Sequence, residues 1–160
     1  MFTVIVYDSK FGNTERIAEA IARGIETRGP VELADTTTAG QALSARPDLL
    51  LIGGPTQRRT MSPALRALVD ALPTGLRGVP AATFDTRYRG ATFLMGSAAA
   101  EAAKRIRGAV GRLVAPPQSF FMARGGPLES QTLESGEIER AEAWGRSVAS
   151  AVDLAASRAT

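Results

Sequence analysis

The 160-residue chain contains no cysteine and no histidine. Their absence removes thiolate and imidazole nucleophiles, the Ser/His/Asp triad, thiolate and imidazole zinc sites, and the commonest general base. Chemistry would then fall to a cofactor or to carboxylate, hydroxyl and arginine groups. Aromatic residues make up only 6% of the chain, and the interleaved aromatics of a nucleic-acid stacking platform are missing, so nucleic-acid binding is not expected. No apolar run approaches a membrane span, and the N-terminus lacks the basic segment and apolar stretch of a secretory signal, which predicts a cytoplasmic chain with no membrane segment. There is no internal repeat and no low-complexity linker. With 44% apolar and 22% charged residues, the composition predicts one domain over residues 1–160, long enough for a real core.

Acidic residues are scarce in the middle of the chain. The formal net charge is +3, but residues 54 to 125 stand at +8 between ends at −2 and −3. If the fold gathers that middle on one side, it would attract an acidic partner or a phosphorylated ligand. Because 17 of the 19 basic residues are arginine, an arginine-rich composition spread over a solvated surface accounts for the pattern equally well.

What is present is a strand-to-helix unit at the N-terminus. Thr3 to Tyr7 is rich in β-branched residues, as a buried strand is, and Ile17, Ala18, Ile21, Ala22 and Ile25 recur at helical spacing. The period changes over Ser9 to Thr14. A loop there leaves the first helical amides unpaired at the positive end of the helix dipole, which favours an anion. Gly12 permits close backbone approach, and Ser9, Asn13 and Thr14 supply short hydrogen-bonding side chains. An ordinary loop capped by Asn13 or Thr14 fits the same residues.

Further strands are expected at Val31 to Ala34, Asp48 to Ile52, Val79 to Phe84 and Ser119 to Met122, the last with Leu113 and Val114 before an interruption at Pro116 and Pro117. Helices are expected from Thr37 or Thr38 to Ala45, from Ser62–Pro63 to Leu72, from Ser97 to about Gly111, and from Glu137 to Ala156 with Trp144 facing inward as packing. Alternation of this kind predicts a parallel α/β sheet with helices on both faces, and ligands at the C-terminal ends of its strands where strand order reverses. The loops there are Asp8 to Thr14, Gly53 to Met61 and Asp85 to Met95. A phospho-receiver domain is excluded, because it needs an Asp at the end of the third strand, where this chain has IGGPT. The GK[ST] phosphate loop and the GxGxxG fingerprint are also missing.

Taken together, SKFGNT at residues 9 to 14, GGPTQRRTMSPAL at 53 to 65, FDTRYRGATFLMGSA at 84 to 98 and GEIERAEAWG at 136 to 145 make the chain resemble the flavodoxin-like family of FMN-binding proteins. The resemblance covers nearly the whole chain and implies a three-layer α/β sandwich with a five-stranded parallel sheet of order 2-1-3-4-5. It also implies FMN as cofactor. Ser9, Lys10, Phe11, Gly12, Asn13 and Thr14 would then surround the phosphate, and Pro55, Thr56, Gln57 and Arg58 would lie along the ring, Thr56 and Gln57 bonding its edge. Asp85, Thr86, Arg87 and Tyr88 would form a third loop beside it. Tyr88 and Phe93 are read as packing that loop in preference to stacking on the flavin. Two departures stand out: Phe11 replaces a hydroxyl of the short flavodoxins, and the ring loop lacks the family's frequent Trp or Tyr. The last strand has no insertion of twenty or so residues, which fits the short-chain type. Electron-carrier flavodoxins are acidic around the flavin, whereas Arg58, Arg59, Arg87 and Arg89 gather here, with Asp85 as the one nearby acid. This implies a higher-potential FMN that accepts electrons from a nicotinamide cofactor or exchanges them with an acidic redox partner protein. A fold of this family that has lost FMN and serves as an interaction module is the alternative.

Overall fold

The computed structural model describes residues 1 to 157, without the side chains of Leu128 and of residues 155 to 157. Its strands are β1 (Thr3–Tyr7), β2 (Val31–Asp35), β3 (Leu49–Pro55), β4 (Ala81–Tyr88) and β5 (Gln118–Met122). They form one sheet of order β2-β1-β3-β4-β5, with every pairing parallel. The helices are α1 (Asn13–Ile25), α2 (Ala39–Ser44), α3 (Pro63–Asp70), α4 (Thr92–Met95), α5 (Ala98–Ile106) and α6 (Glu137–Ser157). Among the described residues no helix is long and apolar enough to cross a membrane.

The period-2 alternation of strand side chains divides the core into two layers. Ile5, Leu49, Leu51, Ala82, Phe84 and Phe120 point toward α1 and α6, while Val4, Val6, Leu50, Ile52 and Ala81 point toward α2, α3 and α5. The central strands are therefore covered on both faces, which explains why β3 reads as a continuous apolar run. Trp144 stands edge-on to Phe84 and Phe120, with ring centroids 6.3 and 6.0 Å away, and is a packing residue.

Two strands run further than the sequence suggests. β3 does not stop at Gly53 but continues through Pro55, paired to Asp85 and Thr86 of β4. Glycine at 53 and 54 is a packing requirement here, since a Cβ would sit 2.3 Å from the Phe84 ring and 2.6 Å from Leu65. β4 likewise runs to Tyr88, so Asp85 to Tyr88 is strand and not loop. In the other direction, α5 ends at Ile106 rather than Gly111, because the chain turns so that the Gly111 amide can donate to Val79 O at 2.8 Å. Leu113 makes only an isolated bridge to Ala81 before the two prolines, and β5 is the edge strand that the prolines suggested.

α1 and α6 cross at two glycines. A Cβ on Gly24 would lie 2.1 Å from Glu142 O, and one on Gly145 would lie 2.3 Å from Ile21 O. Both obstacles are backbone and cannot rotate away. Gly145→Ala should therefore destabilise the protein by about 1–3 kcal/mol through overpacking. In contrast, Gly40→Ala within α2, where nothing lies within 4 Å, should stabilise it by about 0.5–1 kcal/mol. Denaturant unfolding of both variants checks the pair, and similar effects at the two sites would contradict this account of the crossing.

Candidate functional site

The sheet order reverses between β1 and β3, and the loops leaving the C-terminal ends of β1, β3 and β4 surround a cleft of about 830 Å³. Its volume is in the range of small-molecule sites. Of the residues predicted from sequence, Ser9, Lys10, Phe11, Asn13, Thr14, Pro55, Thr56, Gln57, Arg58, Thr86, Arg87 and Tyr88 line it. Gly12 and Asp85 are not in its wall.

The loop before α1 is shaped by Gly12, which takes a left-handed conformation (φ 83°) at the start of the helix. Ser9 Oγ turns back to accept from the Glu15 amide at 3.2 Å. Asn13 Nδ2 donates to Gln131 O at 2.7 Å, and the Thr14 hydroxyl shares a buried hydrogen bond of 2.8 Å with Thr86. These side chains line the cleft as expected of phosphate neighbours, and they also tie the loop to its own helix, to the segment after β5 and to β4. The backbone is left for the ligand. The amides of Lys10 through Thr14 find no acceptor among the described residues, at the positive end of a 13-residue helix.

Along the second wall, the Thr56 hydroxyl has its proton committed within the protein and can meet a ligand's edge only as an acceptor. Thr56 Oγ1 donates to Asp85 Oδ2 at 3.0 Å and accepts from the Ala98 amide at 2.8 Å, below the cleft. Gln57 and Thr60 exchange two backbone bonds of 2.8 and 3.0 Å, closing a tight turn with Arg58 and Arg59 at its tip. Both arginines have positive φ, 47° and 74°, a type I′ geometry that Asn-Gly usually fills. Each left-handed non-glycine residue costs about 1–2 kcal/mol.

Long-range contacts hold that turn in place. The Glu101 carboxylate on α5 accepts from Thr60 Oγ1 and, at 3.0 Å, from the Met61 amide. It also pairs with Arg66 at 2.8 Å and Arg105 at 3.2 Å. Burial pushes the Glu101 pKa up, but these donors and cations together outweigh it and bring the group below its usual 4.5. Arg59 Nη2 donates to Phe93 O at 3.0 Å, and Gly96 approaches so closely that a Cβ would lie 1.9 Å from Arg59 O.

The third wall is the end of β4. Asp85 is fully buried; its Oδ2 accepts from Ser97 Oγ at 2.6 Å, from the Ala99 amide at 3.1 Å and from Thr56. Arg87, 9% exposed, donates from Nε to Ser119 Oγ at 2.9 Å and from Nη1 to Tyr88 O and Gly90 O. Its Nε is 3.9 Å from Asp85 Oδ1. Arg87 is thus a buried internal brace and not a free charge at the cleft. The Tyr88 hydroxyl bonds Gln131 Oε1, and the Arg124 guanidinium lies 5.7 Å from the ring centre of Tyr88, so Tyr88 packs the loops together. Arg58 makes no ion pair or hydrogen bond among the described residues. Arg59, Leu94 and Met95 join the wall from loops that the sequence had already placed there, whereas sequence reasoning missed Arg66, Met122 and Gln131 in the cleft wall, and Glu101 as a second acid beside it. The Ser97 cap four residues before Glu101 was the one signal that could have placed that carboxylate near the loops.

This arrangement defines a class first: an open parallel α/β sheet whose loops form a cleft at the topological switch point, with the unpaired amides of a helix start on one side. No protein-family model matches the chain, and no curated protein sequence matches it. Solved structures do. A flavodoxin from the domain Archaea superimposes with a TM-score of 0.76 at 19% identity, covering 96% of this chain and 99% of that one. Oxidised flavodoxin 1 from Bacillus cereus gives 0.75 at 20% identity, covering 94% of this chain and 98% of its own. The flavodiiron protein from Giardia intestinalis gives 0.72 at 20% identity over 96% of this chain and 36% of that one. The chain has a flavodoxin-like fold.

Glu101 offers a test of how the cleft wall is held. Its folded pKa lies below the usual value, so the stability it confers is present above 4.5 and is lost as pH falls through the folded value. Glu101→Gln should cost about 1–3 kcal/mol at neutral pH, with the gap to wild type closing as pH drops below 4.5. Chemical denaturation across pH measures this, and a gap that stays constant into acid would refute it.

Proposed function

We propose that this chain binds FMN in the cleft and works as a redox protein, transferring electrons or reducing a small molecule. The observation that carries the reading is the run of unpaired amides from Lys10 to Thr14, opening on the same cleft as an apolar wall that includes Pro55, Leu94, Met95 and Met122. A ligand with a dianion at one end and a flat, polar-edged ring at the other matches that division. The likeness to flavodoxins at about the same chain length supports it. When bound, FMN supplies the reversible uptake of one or two electrons that no side chain here can provide.

The protein's own contributions follow from the geometry. The amides of residues 10 to 14 would hold the phosphate together with the α1 dipole. The Gln57–Thr60 turn and Gln131 would offer polar groups to the ring edge, and the Met and Leu side chains would exclude water from it. Among the described residues Lys10, Arg58 and Arg59 are the cleft cations without an ion pair, whereas Arg66 is paired to Glu101 and Arg87 is held from within; Arg59 is tied to Phe93 O and Lys10 lies over the Phe11 ring, which leaves Arg58 without a partner. Positive charge there favours the more negative, reduced flavin and raises its potential. A nicotinamide cofactor as electron donor is compatible with this sign.

One observation favours a second reading. Ser9, Asn13 and Thr14 already satisfy one another's neighbourhood through Glu15, Gln131 and Thr86, as in a fold that has lost FMN and serves as an interaction module. Titration of the purified protein with FMN, read by flavin absorbance and fluorescence, separates the two when riboflavin serves as the phosphate-free control. Tight FMN binding with much weaker riboflavin binding is expected. Binding of neither would leave the interaction module. On the loaded protein, Arg58→Glu should lower the reduction potential by an amount on the order of tens of millivolts, and an unchanged or raised potential would remove the charge argument.

A further inference from the structure

Large hydrophobic side chains that remain in water on an otherwise well-packed protein mark a contact surface when they cluster. Among the described residues five are exposed: Phe11 at 41% and Leu94 at 60% line the cleft, and Phe93 at 78% stands next to Leu94 in the chain. Phe93 and Leu94 belong to α4, a four-residue helix anchored from both sides. Arg59 Nη2 donates to Phe93 O, and Arg87 donates to Gly90 O at 3.0 Å and to Thr92 Oγ1 at 3.3 Å. The backbone is braced while the Phe93 side chain has nothing over it.

The charged groups on the neighbouring loops are mostly cations, with Glu134 as the carboxylate that pairs with one of them. Arg58 and Arg59 are exposed and face no carboxylate within ion-pairing distance, and Lys10 lies over the Phe11 ring. Arg124 donates to Arg89 O, and Arg89 pairs with Glu134 at 2.7 Å while covering the Phe121 ring at 4.1 Å. An exposed aromatic side chain with guanidinium groups on its own and the neighbouring loops is the anatomy of a protein-binding surface. Its charge selects against a second copy of itself, since two such rims would repel. A membrane surface would demand a wider apolar face than Phe11, Phe93 and Leu94 offer.

We infer that the lip of the cleft is a docking surface for a carboxylate-rich protein, with Phe93 at its apolar centre and Arg58, Arg59 and Arg124 forming the rim. That this partner is itself a redox protein rests on the FMN reading. The docking chemistry does not.

The test uses the full chain, with and without FMN, titrated calorimetrically with two small carboxylate-rich probes of unlike fold, a plant-type ferredoxin and a rubredoxin. Association with at least one probe is expected, weakened tenfold or more between low and high salt. Phe93→Ser and Arg124→Glu, neither of which lines the cleft, should each weaken it by a further fivefold or more while leaving FMN affinity unchanged. Binding that depends on salt but ignores both substitutions would overturn the proposal, as would binding of neither probe. Capture by phosphatidylserine vesicles, or self-association in the ultracentrifuge, lost on Phe93→Ser would also overturn it and name the surface's true occupant. Docking without FMN binding would sink the redox reading and leave this surface standing, and FMN binding without docking would do the reverse.

Discussion

The cleft depends on one buried carboxylate. Asp85 has no exposed surface, and an isolated charge there would be costly. It is sustained by three donors on Oδ2, from Thr56, Ser97 and Ala99, and by the N-terminal dipole of α5, which begins at Ala98. Those donors come from the end of β3 and the start of α5, so a single side chain of β4 fastens together two of the elements that border the site. Arg87, two residues on and on the same face of the strand, adds the compensating charge and then spends its remaining donors on Ser119, Tyr88, Gly90 and Thr92. Asp85 thereby fixes the wall from below, and Arg87 extends the fixation outward to α4.

The fold was legible in the sequence because its signals are local. Alternation in Thr3 to Tyr7, the unbroken apolar run of β3, the Ser62 and Ser97 caps and the apolar spacing of α1 are each written within a few residues. The Ser9 to Thr14 loop was legible for the same reason. What the sequence could not reveal is which polar side chains are consumed by the protein itself. Thr14 meets Thr86, Asn13 meets Gln131 and Thr56 meets Asp85 across separations of 72, 118 and 29 residues. No spacing rule encodes such partners. The same blindness made Asp85 to Tyr88 read as a loop: the stretch is polar and arginine-rich, which locally argues for solvent, yet a strand in the middle of a sheet carries it because its charges neutralise one another inside.

The arginines of the middle segment divide by the same criterion. Arg66, Arg87 and Arg105 are structural cations whose charge is met by Glu101, Asp85 and Asp70. Arg58 and Arg59 are not met by any carboxylate within ion-pairing distance among the described residues. The net positive charge counted along the chain therefore overstates the field inside the cleft and understates how much of it is concentrated at the lip. A field of that shape acts less on a ligand already seated beneath it than on what approaches from solution.

The Gln57–Thr60 turn brings these constraints together. Two arginines occupy left-handed positions that glycine and asparagine fill at lower cost, and local propensity alone would not keep them there. The turn persists because Glu101 grips Thr60 and Met61 from one side while Phe93 O and the bare Cα of Gly96 receive Arg59 from the other. Strain that is over-determined by its surroundings fixes side-chain direction more tightly than an unstrained loop would. A simple Asn-Gly turn would give the same chain reversal without presenting cations at its tip. The geometry held against that easier alternative is the one that sets Arg58 over the cleft and Arg59 under Phe93, so the wall of the cleft and the lip around it are two consequences of one turn.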